Sequence, residues 1–276
     1  MTEAARVSDG GGRSLALIGP GRAGLSVVTA LRASGWHVRG VAGREPMGSS
    51  VRAAAARFGA VAGSAADVAS GFGGGVELVI VACPDAAIGT VVAEIAPVVD
   101  ARTLVMHLAG SVGVDVLSVL PCRTGALHPL QTMPTPELGA ARLAGSWCAI
   151  AGDAEVAALA RELGMHSFPI ADADRGEYHA AACIASNHLV ALLAQVQACT
   201  TVPVDAFLPL VRATVDNVGA LGPAAALTGP VARGDVETVR RHLDAIPDGE
   251  RDAYRALARR AAVLAGRDPD LGGILA

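Results

Sequence analysis

The chain has 276 residues, enough for one large domain or two ordinary ones, and with 52% hydrophobic and 17% charged residues it can bury a substantial core. A net charge of -4 without a basic cluster argues against a nucleic-acid partner, and 3% aromatic residues argue against base-stacking platforms. No lysine occurs among the 22 basic residues, which excludes Schiff-base and lysine acid–base chemistry.

Residues 1–13 are polar and glycine-rich and lack the apolar core of a signal peptide. Leu15 to Ile18 then form a short apolar run, and Gly19-Pro20-Gly21-Arg22-Ala23-Gly24 follows as G-x-G-x-x-G. Leu25 to Ser34 read as an amphipathic helix. A strand turning sharply into a helix needs the first glycine, the approach of a pyrophosphate to the helix N-terminus needs the second, and close helix–strand packing needs the third. This context predicts a dinucleotide site; the alternative is a βα turn that binds nothing.

A second strand is predicted over Trp36 to Ala42, ending at Gly43-Arg44. An NAD-type site would place an acidic residue near there for the ribose 2′-hydroxyl. Arg44, with Ser49 and Ser50 beyond it, suits a 2′-phosphate instead, so NADP is expected over NAD. The competing view is that Arg44 merely ends a strand, next to Glu45.

Val51 to Phe58 predict a helix, Val61-Ala62 a brief strand, and Ser64 to Ala69 a helix begun by Ser64. Leu78 to Ala82 read as a buried parallel strand leading to Cys83-Pro84-Asp85. Ile88 to Ile95 form the next helix, and Thr103 to His107 the next strand, followed by the small loop Leu108-Ala109-Gly110-Ser111. Strands are further expected over Gly125 to Thr132, Ser146 to Ala151 and Ser167 to Ile170, with a helix over Ala154 to Leu163. The alternation predicts an α/β fold, a doubly wound parallel Rossmann sheet over residues 14–171.

An all-α domain is expected over 172–276: a long helix Glu177 to Ala198, a second from Pro203 to Ala220, then helices capped by Asp235 and Asp248. Its apolar content predicts a homodimer through these helices. No apolar stretch is expected to span a membrane; Leu78 to Val99, for instance, is broken by Asp85, Glu94 and two prolines. Cys83, Cys122, Cys148, Cys183 and Cys199 form no C-x-x-C pair, so they are expected reduced and mostly buried in a cytoplasmic protein.

Six stretches recur together in one family: G-P-G-R-A-G, the A-C-P-D ending at Asp85, H-L-A-G-S at His107 to Ser111, A-L-H-P-L-Q-T at Ala126 to Thr132, Y-H-A-A-A-C-I-A-S-N at Tyr178 to Asn187, and T-G-P-V-A-R-G-D at Thr228 to Asp235. Over residues 14–265 the chain resembles Rossmann-like NADP-dependent oxidoreductases with a C-terminal helical domain of unassigned function. These are similar to pyrroline-5-carboxylate reductase, prephenate dehydrogenase and the 3-hydroxyisobutyrate and 6-phosphogluconate dehydrogenases. The resemblance implies the fold, the cofactor class and a helical dimerisation domain, with the site between domains. Hydroxyisobutyrate-type enzymes and ketopantoate reductases use a lysine near an asparagine on the long helix. This sequence has Asn187 but no lysine, so that mechanism does not carry over unaltered.

Hydride transfer needs a nicotinamide, an acceptor pocket and a proton donor. His128 and Asn187 are expected to face each other across the nicotinamide as catalytic residues, His128 being the first candidate donor with Tyr178 or His179 as alternatives, although a lone histidine more often simply closes a sheet edge. His179, Cys183 and Asn187 repeat every four residues with Ser186 beside them, a polar stripe that suits a cleft wall or a subunit contact. Cys83, Pro84, Asp85, Gly110 and Ser111 are expected to border the cofactor, Ser186 the substrate, and Arg233 to clamp a substrate carboxylate. His179 with Cys183 lacks a second ligand pair at matching spacing, so no metal is expected. The expectation is an NADP(H)-dependent reductase of a small carbonyl or imine, such as a 2-oxo acid of ketopantoate type. Its rival is a dinucleotide-binding redox sensor or interaction protein without turnover.

Overall fold

The computed structural model describes residues 13–276; the polar, glycine-rich stretch read over residues 1–13 lies, up to residue 12, outside the described residues. The chain divides into two compact units, one reaching Cys183 and the other Ile184–Ala276.

In chain order the first unit holds β1 (Ser14–Ile18), α1 (Arg22–Ala33), β2 (His37–Ala42), α2 (Ser49–Phe58), β3 (Val61–Gly63) and α3 (Ala65–Ala69). Then come β4 (Leu78–Val81), α4 (Ile88–Ile95), β5 (Leu104–His107), β6 (Arg123–Pro129), α5 (Pro136–Ala141), β7 (Trp147–Gly152), α6 (Ala154–Glu162), β8 (His166–Pro169) and α7 (Arg175–Cys183). The strands form one sheet in the order β3-β2-β1-β4-β5-β6-β7-β8. The first six run parallel, with the order reversing between β1 and β4. The alternation predicts a parallel sheet throughout; instead β7 lies antiparallel to β6, with β8 parallel to β7. The connection over residues 130–146, which holds the short α5, returns the chain so that β7 runs against β6.

Successive strand residues serve opposite faces. Leu15, Leu17, Leu78 and Ile80 pack with α1, α2 and α6, whereas Ala16, Ile18, Val79 and Val81 pack with α3 and α4. Both faces are therefore covered, which is why β4 and β5 are apolar at nearly every position. Ser64 does start α3: its hydroxyl accepts from the Asp67 N–H while the Asp67 carboxylate accepts from the Ser64 N–H, satisfying orphan donors on both sides.

The second unit holds α8 (Leu189–Cys199), α9 (Leu208–Leu221), α10 (Pro223–Ala226), α11 (Pro230–Arg233), α12 (Val236–Ala245) and α13 (Arg251–Leu264). Val239, Leu243, Ala258, Ala262, Leu271 and Leu275 form its core. Asp235 caps α12, accepting from the Thr238 N–H at 3.0 Å.

Several expectations are corrected. The long helix is not uniform: a π turn over Ile184–His188 joins α7 to α8. Pro203 precedes a single 3₁₀ turn, and α9 begins only at Leu208, with Pro209 in its first turn. Asp248 does not cap α13; it lies in a 3₁₀ turn ahead of it and pairs with Arg251 at 2.9 Å. Of the five free cysteines only Cys148 is buried, the others being half-buried. Finally, one helical run, Asp172–Cys199, is long and apolar enough to cross a membrane by length and composition. Its middle carries Ser186, Asn187 and His188, groups that hydrocarbon accepts only at a cost.

Candidate active site

The parallel strands bring four candidate segments to one edge, because β1, β4, β5 and β6 all end there: Gly19 to Gly24, Cys83 to Asp85, Leu108 to Ser111, and His128. That edge includes the β1/β4 reversal, the usual place for a ligand in an open α/β sheet.

At Gly19, φ is +95° and a Cβ would stand 2.6 Å from the Cys83 nitrogen, so only glycine lets the chain turn this close to β4. A Cβ at Gly24 would stand 2.7 Å from the Gly19 oxygen, so the first turn of α1 packs directly on the strand end. A Cβ at Gly21, in contrast, would meet nothing within 4 Å. Among the described residues no side chain caps α1, so its first-turn N–H groups keep the unpaired donors of a helix start. The three glycines thus have the three separate jobs a phosphate cradle requires. Pro20 lies between the first two, and Arg22 and Ala23 are exposed on the first turn of α1. Arg44 is exposed two residues beyond β2, with Ser49 and Ser50 opening α2 nearby in sequence.

Around the ends of β4 and β5, the Ser111 hydroxyl donates to the Asp85 carboxylate, tying the two loops together. His107 is buried at the end of β5. Its Nδ1 accepts from the Ala109 N–H at 3.2 Å, which leaves Nε2 as the donor to the Gly113 carbonyl at 3.2 Å. Burial pushes its proton affinity down. With both ring nitrogens committed to backbone, His107 is a strut of the 107–113 loop.

His128 ends β6, and its Nδ1 is 2.7 Å from the Tyr178 hydroxyl on α7. The His179 ring stands edge-on to it, with centroids 5.7 Å apart. Gly110 lies directly beneath the two imidazoles: a Cβ there would be 2.6 Å from His179 Cδ2 and 2.9 Å from His128 Cε1. Burial, then the neighbouring His179 and Arg175, push the His128 pKa down to about 4. Burial also pushes Tyr178 up to about 12, opposed by Arg175. Near neutral pH both members of the pair are uncharged.

Arg175, at the start of α7, is fully buried, and nothing in its sequence neighbourhood marks it as a site residue. Its Nε donates to Asp172 Oδ1 at 3.2 Å and its Nη1 to the Ala109 carbonyl at 3.4 Å. Asp172 also accepts from the Val114 N–H at 2.9 Å and the Asp115 N–H at 3.2 Å. Burial alone would raise the Asp172 carboxyl, but these bonds together hold it below its usual range.

The structure therefore brings together His128, Tyr178, His179 and Gly110, and separately Ser111 with Asp85. Ser186 is half-buried and Asn187 exposed, both on the π turn of the second unit, and Arg233 is exposed at the end of α11. The regular four-residue spacing of His179, Cys183 and Asn187 is broken by that turn. An α-helix carries residues four apart about 40° past a full circle, whereas the wider π turn advances less per residue.

Residues 5–134 match a family of Rossmann-like domains, and residues 147–261 match a domain of unknown function, DUF2520. No curated protein matches the chain. Among solved structures, a candidate NADP oxidoreductase from Bacteroides fragilis is similar at 24% identity and a TM-score of 0.73, over 92% of this chain and 97% of the other. A Thermotoga maritima protein is similar at 23% identity and a TM-score of 0.67, over 91% of this chain and 98% of the other. A reductive aminase from Aspergillus terreus, solved with NADPH4, cyclohexanone and allyl amine, shares 17% identity and a TM-score of 0.57, over 94% of this chain and 89% of the other. At these identities the likeness is one of fold.

Proposed function

Since the chain joins a Rossmann-like domain to a DUF2520 domain, we propose that it is an NADP(H)-dependent oxidoreductase reducing a small carbonyl or imine, a 2-oxo acid of ketopantoate type being one candidate. The observation that carries this reading is the placement of an open glycine cradle and an uncharged His–Tyr pair at the same edge of one sheet. The fold shared with the solved NADP oxidoreductase and reductive aminase supports it.

Gly19 to Gly24 and the N-terminus of α1 would hold the cofactor's pyrophosphate, Arg44 its 2′-phosphate, and Cys83 to Asp85 with Gly110-Ser111 would border its nicotinamide. When bound, NADPH supplies a hydride to the acceptor's carbon. As the C=O or C=N π pair moves onto the heteroatom, Tyr178 gives that atom its hydroxyl proton. His128, as the Nδ1–H tautomer, donates to the phenolate oxygen left behind, and water returns the proton afterwards. An imidazolium donor at His128 does not suit a group whose pKa lies near 4, so the histidine serves as partner and the phenol as acid.

The test is NADPH oxidation with a panel of 2-oxo acids, aldehydes and cyclic imines. Turnover is expected with at least one acceptor, and Tyr178→Phe should slow it by about 10²-fold or more. Tight NADPH binding without turnover on any acceptor would point to a dinucleotide sensor, and undiminished turnover by Tyr178→Phe would remove the tyrosine from the mechanism.

A further inference from the structure

The largest fully buried side chain of the described residues is a charged one, Arg175. Its only carboxylate partner among the described residues, Asp172, is about one-third exposed and is shared with two backbone N–H groups. Its Nη2 is buried with no hydrogen-bond partner among the described residues. A guanidinium kept this way loses hydration that its contacts only partly replace. Packing alone would be served as well by an apolar side chain of similar volume.

What distinguishes the place is its surroundings. The charge bears on groups whose protonation matters to the chemistry proposed above, His128 from β6, Tyr178 from α7 and His107 from β5, and His128 is faced in turn by His179 and by Asp85 from the loop after β4. Arg175 also anchors the Ala109 carbonyl, and Asp172 anchors Val114 and Asp115, so the pair clips the 109–115 loop to the start of α7. That loop carries Gly110, which touches both imidazoles.

We propose that Arg175 is a positioning residue for the His128–Tyr178 pair, supplying a fixed, under-compensated positive charge that keeps the imidazole neutral and favours phenolate on Tyr178 when it gives up its proton. The charge and the clip act together. The guanidinium disfavours a second positive charge on the neighbouring imidazoles and favours the one negative charge the reaction creates, while the loop it holds sets where the rings stand. The inference rests on the assignment of Tyr178 as proton donor, but the property itself belongs to the protein without cofactor.

It is therefore tested without NADPH or acceptor. In a Tyr254→Phe background Tyr178 is the sole tyrosine, so its phenolate absorbance titrates alone. The His128 ring nitrogens are followed by NMR in the same protein, assigned with His128→Gln. Removing the charge with Arg175→Gln should move both midpoints upward, each by about one pH unit, while Arg175→Lys should leave both nearly in place. A purely structural arginine gives a different pattern. Water entering a loosened site relieves burial, so His128 would rise while Tyr178 falls, and that result would overturn the proposal. If Arg175→Gln does not fold, Asp172→Asn supplies the converse. With its carboxylate gone the guanidinium acts more strongly, and the Tyr178 midpoint should fall; an unchanged or raised midpoint counts against the proposal. A protein that binds no NADPH can still pass these tests, and one that turns NADPH over can fail them, so the two readings stand or fall separately.

Discussion

Arg44 and Arg175 show opposite uses of one side chain. Arg44 is exposed past the end of β2 and, among the described residues, makes no side-chain hydrogen bond or ion pair, so its donors are free for an incoming phosphate. If it meets the 2′-phosphate, Arg44→Ala should cut the preference for NADPH over NADH by tenfold or more, since a charge-assisted bond contributes roughly 1.5–3 kcal/mol. Equal binding of the two cofactors by the unaltered protein, measured by calorimetry, would refute the assignment. Arg44 stands out in the sequence as a candidate because its place relative to the glycines carries meaning. Arg175 does not: in the stretch Asp172-Ala173-Asp174-Arg175-Gly176-Glu177 it reads as one more solvated charge. It is buried where it meets Ala109, sixty-six positions away in the chain. The same holds for His128 and Tyr178. Each stood out as a polar group in an apolar setting, but their 2.7 Å contact spans fifty residues, and no local pattern encodes it.

Among the elements, those with strong local signals were legible nearly to the residue. The Ser64 capping box and the apolar runs of β4 and α4 are of this kind, because a cap or a two-sided burial pattern is written in adjacent residues. The π turn at Ile184–His188 was not, since one extra residue in a helical turn leaves composition and apolar content unchanged. The helices beyond it expose large apolar side chains: Val190 on α8 is 68% exposed, and Leu210 and Leu221 on α9 are 65% and 61%. Side chains like these, on adjacent elements, mark a surface that water leaves readily when a partner covers it. If the partner is a second copy, the protein should sediment as a dimer at micromolar concentration. Aspartate at Val190 and Leu210 should shift it toward monomer. A monomer in the unaltered protein would remove the dimer.

At the scale of the whole molecule, the fold explains why segments far apart in sequence converge. Parallel strands end at one edge, so motifs following β1, β4, β5 and β6 are gathered without any local instruction to meet. The alternation of strand and helix that builds a doubly wound sheet was legible, whereas the order of the strands was not. Nor was the reversed direction of β7, because pairing direction depends on the course of the connection more than on the strand's own residues. The central claim is that this edge holds a dinucleotide on the glycine cradle, and calorimetric titration with NADPH tests it most directly. Gly21 is the informative position: a Cβ there meets no protein atom within 4 Å, so a valine leaves the fold intact and fills only the space a pyrophosphate needs. The unaltered protein should bind one NADPH per chain, and Gly21→Val should retain its circular dichroism spectrum but bind at least about tenfold more weakly, a loss of ~1.4 kcal/mol or more. No NADPH binding by the unaltered protein, or equal affinity in the folded variant, would contradict the account.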